Sequence, residues 1–156
     1  MPAEWEPHEA TWLAWPHEKS DWPGKFAPIP WLYGEIVRHL ARVEKVRILV
    51  QDRDGEESAR KVLKKCHAEL AAVEFFHHPT NRSWTRDYCP LFVKNKSGEI
   101  ASSHWKFNGW AKYDNCRDDA RTPAFIARKL KLQRFETGLV LEGGSIDVNG
   151  AGKLLT

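Results

Sequence analysis

The sequence lacks several features that would assign it at once to a class of protein. No apolar run in its 156 residues approaches the roughly 20 residues that a membrane helix needs. Lysine and arginine are scattered and the formal net charge is only +3, so no basic patch indicates nucleic-acid binding. The first residues have no basic flank followed by an apolar core, which argues against a signal peptide. We therefore expect a protein that binds neither nucleic acid nor a membrane.

Cysteine is scarce too. Cys66, Cys89 and Cys116 are odd in number and irregularly spaced, which argues against a disulfide framework or a zinc knuckle and is typical of a reducing cytoplasm. His77 and His78 are adjacent in a predicted strand, so their side chains point to opposite faces and are poorly placed to share a metal ion. The sequence thus predicts a cytoplasmic protein without a metal site.

Tryptophan, in contrast, is frequent, with eight in the chain and five of them among the first 31 residues. Such rings serve either as a wall around a cationic ligand or as ordinary core and loop packing, and both interpretations stay open. The chain ends on an apolar run, Leu154 and Leu155 before Thr156, whereas most domains end in solvated residues. We therefore expect that the chain is truncated at Thr156.

Hydrophobic periodicity predicts an α/β fold with short strands and mixed pairing. In the first half, strands are predicted at residues 10–15, 46–50 and 73–76, with helices at 30–43 and 56–70 and a polar turn at 51–55. In the second half, a hairpin is predicted at 90–93 and 100–105, a helix after Thr122-Pro123 that runs to 132, and strands at 140–141, 145–148 and 153–156. The Asn149-Gly150 pair predicts a tight turn between the last two strands.

The segment richest in chemistry is a predicted loop at residues 81–90, with the sequence NRSWTRDYCP. It places Trp84 three residues before Asp87, and an aromatic face beside a carboxylate suits a planar cation, which the ring can stack on while the oxygens accept a fork of hydrogen bonds. The alternative is a structural loop in which Arg86 pairs with Asp87.

A second candidate segment is residues 141–147, with the sequence LEGGSID. A carboxylate at Glu142, directly before two glycines, indicates backbone that another group approaches closely. Such a glutamate can hold and polarise a catalytic histidine, or it can simply be solvated at a β-bulge.

Four segments, in this order, resemble the successive motifs of agmatine deiminases and the related bacterial, Porphyromonas-type peptidylarginine deiminases. They are residues 1–17 (MPAEWEPHEATWLAWPH), 83–90 (SWTRDYCP), 107–113 (FNGWAKY) and 141–156 (LEGGSIDVNGAGKLLT). Together they extend over essentially the whole chain. The resemblance implies the pentein fold, a five-fold pseudosymmetric α/β propeller of ββαβ units. Residues 1–156 would be the N-terminal part of a single catalytic domain, roughly its first two blades.

The same resemblance implies an activity, the hydrolysis of a guanidinium group to a ureido product and ammonia. A cysteine thiolate attacks the guanidinium carbon, a His-x-Asp pair transfers protons and provides a second clamp, and water hydrolyses the covalent intermediate. By motif, Asp87 matches the first guanidinium-binding carboxylate, Trp84 the aromatic that lines the same pocket, and Glu142 the acid that orients the catalytic histidine. No metal or organic cofactor is implied.

The sequence departs from this pattern in several places. No His-x-Asp occurs in it, and none of the three cysteines has the sequence context of the family nucleophile, which lies near the C-terminus of the full-length protein. Cys89 stands where the family commonly has glycine, and Asn81 stands where an acidic residue is common. We therefore predict that residues 1–156 alone are inactive.

Several functions stay open at this point. The expected partner is a small guanidine, with agmatine favoured because no export signal precedes the first motif. Peptidyl-arginine deimination and transfer of the amidino group to an amine are alternatives within the same chemistry. A non-catalytic module that binds guanidinium or another cation is the alternative outside it. The sequence is compatible with a homo-oligomer.

Overall fold

The computed structural model describes every residue of the chain, Met1–Thr156, and divides into two units. The first, here called the parallel-sheet unit, is formed by His8–Thr85. The second, the mixed-sheet unit, combines Met1–Pro7 with Arg86–Thr156. Each unit packs helix on sheet, so the predicted α/β class is confirmed. None of the helices is long and apolar enough to cross a membrane.

The parallel-sheet unit alternates strands and helices. Its three strands pair in the order β1-β2-β3, and both pairings are parallel. Parallel neighbours need a crossover, which helices provide here. The elements are β1 (Ala10–Ala14), α1 (Ile29–Leu40), β2 (Lys45–Val50), α2 (Arg53–Lys65) and β3 (Val73–His77).

The core of this unit is centred on strand β2, in which four of the five residues 46–50 are apolar. Val46, Ile48 and Val50 are buried there against residues from both helices. Arg47 is also buried, but its guanidinium donates to Glu9 and Glu74 at 2.6 and 2.8 Å. The buried charge in the middle of the strand is therefore neutralised by two carboxylates.

The predicted bounds of α2 are wrong at both ends. The helix begins at Arg53, inside the predicted turn, because the Asp52 carboxylate accepts the backbone N–H of Gly55 at 2.9 Å and caps the first turn. It ends at Lys65, five residues early, since His67 has a φ of +56°. A residue in this left-handed conformation cannot continue the helix.

The mixed-sheet unit contains one ββαβ segment. Strand β4 pairs antiparallel with β5, and β5 pairs parallel with β6. The predicted hairpin and the helix that follows it are confirmed. The short helix α3 (Thr85–Tyr88) precedes this segment in the chain. The elements that follow are β4 (Leu91–Lys94), β5 (Ile100–Lys106), α4 (Thr122–Lys129) and β6 (Gln133–Val140), and then a hairpin of β7 (Asp147–Val148) and β8 (Leu154–Leu155).

Two strand predictions in this unit need correction. Strand β6 is eight residues long, whereas only residues 140–141 were predicted, because most of it is solvent-exposed and so shows no regular apolar alternation. Strand β7 begins at Asp147 rather than at 145, because a 3-10 turn over Gly143–Ser145 precedes it. The hairpin that begins at Asn149-Gly150 is confirmed, with Gly150 at a φ of +71°, but the five residues 149–153 join its strands in place of a tight turn.

A buried histidine lies in strand β5. Nε2 of His104 is 2.9 Å from the Ser102 hydroxyl oxygen, and both side chains are buried on one face of the strand. Burial, and then the Arg134 guanidinium, lower the pKa of His104, while Glu136 opposes them. The folded protein therefore favours neutral His104.

This lowered pKa makes stability depend on pH. The unfolded chain binds the proton of His104 more tightly than the folded chain does. The free energy of unfolding is therefore unaffected by this group above its ordinary pKa of 6.5, and it decreases as the pH falls below that value. We expect His104→Gln, which keeps a partner for Ser102 but carries no charge, to lose less free energy of unfolding between about pH 7.5 and 5 than the wild type. Denaturant unfolding checks this, with His67→Gln as a control at an exposed site. Identical pH profiles for His104→Gln and the wild type would contradict it.

Candidate functional site

Asp87 lies on a short helix rather than in the predicted loop. The four residues Thr85–Tyr88 form α3, in which the chain passes from one unit to the other. Tyr88 anchors this turn in the mixed-sheet unit, where it is fully buried and its ring centroid lies 5.8 Å from that of Phe107. Asp87 is only half-buried, so its carboxylate is held at the rim of the packed core.

The two glycines of the second predicted segment pack directly on Arg86 and Asp87. A Cβ added to Gly143 would overlap the backbone carbonyl oxygen of Arg86, and one added to Gly144 would overlap the Asp87 carboxylate. Only residues without a side chain permit this approach. The tertiary structure thus brings Arg86 and Asp87 of the first candidate segment into contact with the two glycines of the second, within one unit.

Arg86 does not form the alternative ion pair with its neighbour Asp87. Its Nη1 and Nη2 donate to the two carboxylate oxygens of Glu4, at 3.1 and 2.8 Å. This forked geometry is the strong form of an arginine–carboxylate contact. Glu4 was not anticipated from the sequence. Because it engages Arg86, it leaves the Asp87 carboxylate to face Gly144.

Glu142 lies at the start of the 3-10 turn Gly143–Ser145. Its backbone carbonyl oxygen accepts hydrogen bonds from the Ser145 N–H at 3.0 Å and the Ser145 hydroxyl at 2.7 Å. Its side chain does not cap the turn and is half-buried. The turn therefore fixes the backbone of Glu142 and leaves its carboxylate available for another group.

Trp84 belongs to the parallel-sheet unit, and its indole ring is partly open to solvent. It is 42% exposed. Its Nε1–H donates to Oδ2 of Asp21 at 3.2 Å, and the Trp22 ring lies beside it, with centroids 5.7 Å apart and planes at 30°. Phe26 extends the cluster, 5.9 Å from Trp22. Trp84 is thus held at one edge and one face while the rest remains accessible.

Asp21 and Arg82 form a buried ion pair that was not anticipated from the sequence. Nη1 of Arg82 contacts Oδ1 of Asp21, and their side chains are only 5% and 4% exposed. The two residues are 61 positions apart, so local spacing cannot pair them. The only signal in the sequence was indirect: Arg82 lies two residues before Trp84, in the segment richest in candidate site residues.

The segment at residues 107–113 contains an unusual turn. Gly109, Trp110 and Ala111 all have a positive φ, between 52° and 65°, and the Asn108 side chain caps the turn by accepting the Ala111 N–H at 3.1 Å. A left-handed conformation costs about 1–2 kcal/mol for each non-glycine residue. The Asn108 side chain thus has a structural role here, and the Trp110 ring packs edge-on against Phe107, with ring centroids 4.9 Å apart.

Two of the three cysteines, Cys66 and Cys89, are poorly suited to act as a nucleophile. Burial, and then the Glu35 carboxylate, raise the pKa of the Cys66 thiol, and its sulfur packs against Gly34. Burial, and then Asp119, raise the pKa of the Cys89 thiol. Cys116 packs against Gly109. For Cys66 and Cys89 the thiolate is disfavoured, which is the opposite of what a catalytic cysteine needs.

The histidines form no metal cluster either. Nε2 of His77 contacts Oε2 of Glu56 at 2.7 Å. No group of three or more His, Cys, Asp or Glu side chains lies close enough together to hold a metal ion.

Comparison with known proteins decides the family. The profile of the Porphyromonas-type peptidyl-arginine deiminase family matches residues 1–156. The chain belongs to this family. Among curated members, the agmatine deiminase of Ectopseudomonas mendocina is 35% identical over all of this chain and 42% of its own length. The agmatine deiminase of Pseudomonas aeruginosa is 33% identical, again over all of this chain and 42% of its own length.

Solved structures of this family share the fold. The agmatine deiminase of Enterococcus faecalis superimposes with a TM-score of 0.89 at 27% identity, over all of this chain and 42% of that one. The substrate-bound agmatine deiminase of C. jejuni gives 0.82 at 32% identity, over 99% of this chain and 44% of that one. The predicted pentein fold is therefore confirmed, and the chain spans less than half the length of these relatives.

Proposed function

We propose that these residues are the N-terminal part of a deiminase catalytic domain that hydrolyses agmatine to N-carbamoylputrescine and ammonia. One contact carries the proposal: Gly144 of the Glu142-Gly143-Gly144 segment lies against the Asp87 carboxylate. It joins the two segments that match the family's site motifs, and the curated relatives above are named agmatine deiminases. The product places the reaction in polyamine metabolism, upstream of putrescine, and we propose that it takes place in the cytoplasm.

In this proposal Asp87 recognises the positive end of the substrate. A guanidinium group stays charged at neutral pH, so a site that removes it from water must supply carboxylates. The two oxygens of Asp87 can accept a fork of N–H donors from the guanidinium plane. By the family motif, Trp84 is the aromatic residue that offers a ring face to the substrate.

Glu142 has a different role, since it would orient a histidine in the portion of the protein beyond residues 1–156. That portion would also supply a cysteine. Its thiolate adds to the guanidinium carbon, ammonia leaves with a proton from the histidine, and water then hydrolyses the thioimidate to release the ureido product and the thiol. The raised pKa values of the Cys66 and Cys89 thiols support a nucleophile outside this chain.

The proposal is tested by release of a ureido product from the full-length protein. We expect turnover of agmatine in preference to free arginine and to a peptide that ends in arginine. Residues 1–156 alone are expected to release none, because they lack a His-x-Asp pair. If the protein turns over the peptide in preference to agmatine, its substrate is peptidyl-arginine and the agmatine assignment is wrong.

Two other outcomes would change the proposal more deeply. Agmatine binding without turnover by the full-length protein would favour a non-catalytic guanidinium-binding module. Turnover by residues 1–156 alone would show that the cysteines and acids present here suffice, and would contradict the assignment of the nucleophile to another part of the protein.

A further inference from the structure

The Asp21–Arg82 ion pair is buried, although burying it contributes little net stability. Both side chains are almost fully removed from solvent. Desolvating two charges costs several kcal/mol, roughly what their attraction returns, so such pairs are often replaceable by apolar residues without loss of stability. A role in holding a defined geometry is a better explanation of the pair than stability.

The ion pair fixes the position of the Trp84 indole ring. Oδ1 of Asp21 contacts Arg82, while Oδ2 accepts the indole N–H of Trp84 at 3.2 Å. Both oxygens of Asp21 therefore have partners, and the Arg82 charge balances the carboxylate. This makes Asp21 an unsuitable direct ligand for a guanidinium, in contrast to Asp87.

Trp22 also restricts the orientation of the Trp84 ring. Trp22 follows Asp21 directly and lies beside Trp84, with ring centroids 5.7 Å apart. A tryptophan side chain turns about two torsions, and a hydrogen bond at its edge with a ring at its side restricts both. Cation–π attraction requires the cation within about 6 Å of the ring centroid, so a fixed ring orientation matters for binding.

We propose that Asp21 is a positioning residue for the substrate-binding ring of Trp84, with Arg82 holding Asp21 in place. This inference rests on the proposed function, because it gives Trp84 a ligand to bind. It adds a residue that does not touch the substrate and yet determines its affinity.

The first test measures the ring itself in the full-length protein, labelled with ¹⁵N at tryptophan. The Trp84 indole resonance is assigned by its loss in Trp84→Phe. In Asp21→Ala we expect that resonance to move and its proton to exchange faster with water, because its acceptor is gone. An unchanged Trp84 resonance would overturn the inference, whether or not the protein turns over agmatine.

The second test measures agmatine kinetics. In Asp21→Ala we expect KM to rise about tenfold, equivalent to ~1.4 kcal/mol, with kcat within about threefold of the wild type, the pattern of lost binding rather than lost chemistry. If Asp21 acts through Trp84, then adding Asp21→Ala to Trp84→Phe should raise KM no further. Multiplicative effects in the double variant would overturn the inference.

A matched control separates positioning from general destabilisation. Glu74→Gln weakens another ion pair of the same unit, in which Glu74 accepts from Nε of Arg47 at 2.8 Å. We expect it to lower the unfolding temperature while KM stays at the wild-type value. An equal rise of KM in Glu74→Gln would make the Asp21 effect a stability effect and would overturn the proposal.

A further variant keeps the test decisive. If Asp21→Ala does not fold, Asp21→Asn replaces it, because asparagine retains the side-chain volume and one oxygen. We expect Asp21→Asn to shift the Trp84 resonance and to raise KM, both by less than is expected for Asp21→Ala. Failure of the proposed function is recognised separately: the wild type would not hydrolyse agmatine, while the resonance would still report on Asp21 and Trp84.

Discussion

Asp87→Ala is expected to lower kcat/KM for agmatine about 10³-fold in the full-length protein, the largest effect that we predict. Two charge-assisted hydrogen bonds to the guanidinium are lost, at roughly 1.5–3 kcal/mol each, and each ~1.4 kcal/mol is a factor of ten in rate. Ureido-product release under kcat/KM conditions measures the loss. Asp87→Asn, which keeps the shape and one acceptor oxygen but not the charge, is expected to lose less.

The structure provides a control for this variant. Asp114→Ala makes the same substitution at an exposed position of the mixed-sheet unit and should leave both kcat/KM and the unfolding temperature unchanged. The Asp87 variants should also unfold near the wild-type temperature, because Asp87 is only half-buried. Wild-type kcat/KM in a folded Asp87→Ala protein would exclude Asp87 from the site.

The second large effect concerns alanine substitutions at the adjacent Gly143 and Gly144, which contact different groups. Alanine at Gly143 would meet the backbone carbonyl oxygen of Arg86, and the Leu91 side chain at 3.2 Å. The carbonyl oxygen is a backbone atom and cannot move without shifting α3, so we expect a loss of about 1–3 kcal/mol in the free energy of unfolding, as is usual for overpacking.

Alanine at Gly144 would instead meet the carboxylate of Asp87. A side-chain end can rotate away, so little stability should be lost, but the carboxylate is then misplaced for the substrate. We expect kcat/KM for agmatine to fall on the order of 10²-fold, the cost of a displacement of about 1 Å at a reacting centre.

Thermal unfolding and agmatine kinetics on both variants check this contrast, with Gly55→Ala as the control. The nearest atom to a Cβ at Gly55 is at 3.5 Å, an ordinary contact. The substitution lies in helix α2, where alanine is favoured by up to ~1 kcal/mol, so neither stability nor activity should fall. Gly144→Ala with wild-type kcat/KM would show that its neighbour Asp87 does not bind substrate.

Local signals in the sequence predicted most of the framework. Strand β2 is mostly apolar, and the Asn149-Gly150 pair begins the loop of its hairpin. These features are local because the period of side chains along the backbone, and the few residues that tolerate a tight turn, determine them. The signal failed where it was weakest, in the solvent-exposed β6 and at the ends of α2.

The candidate residues were also predictable, but their surroundings were not. Ordered motifs identified Asp87, Trp84 and Glu142, whose roles remain predictions. The same sequence suggested Arg86 as the partner of Asp87, whereas Arg86 binds Glu4, 82 positions away. Arginine is long enough to choose among several carboxylates, and only the folded chain decides which is nearest.

The sequence by itself determined the fold class, the family and the residue types that can hold a guanidinium, because periodicity and ordered motifs are properties of consecutive residues. The tertiary structure alone decided three contacts between distant segments: Gly144 on Asp87, Asp21 with Arg82, and Arg86 with Glu4. Each of the three depends on where the chain returns in space, and that is determined by the packing of whole elements rather than by any local pattern.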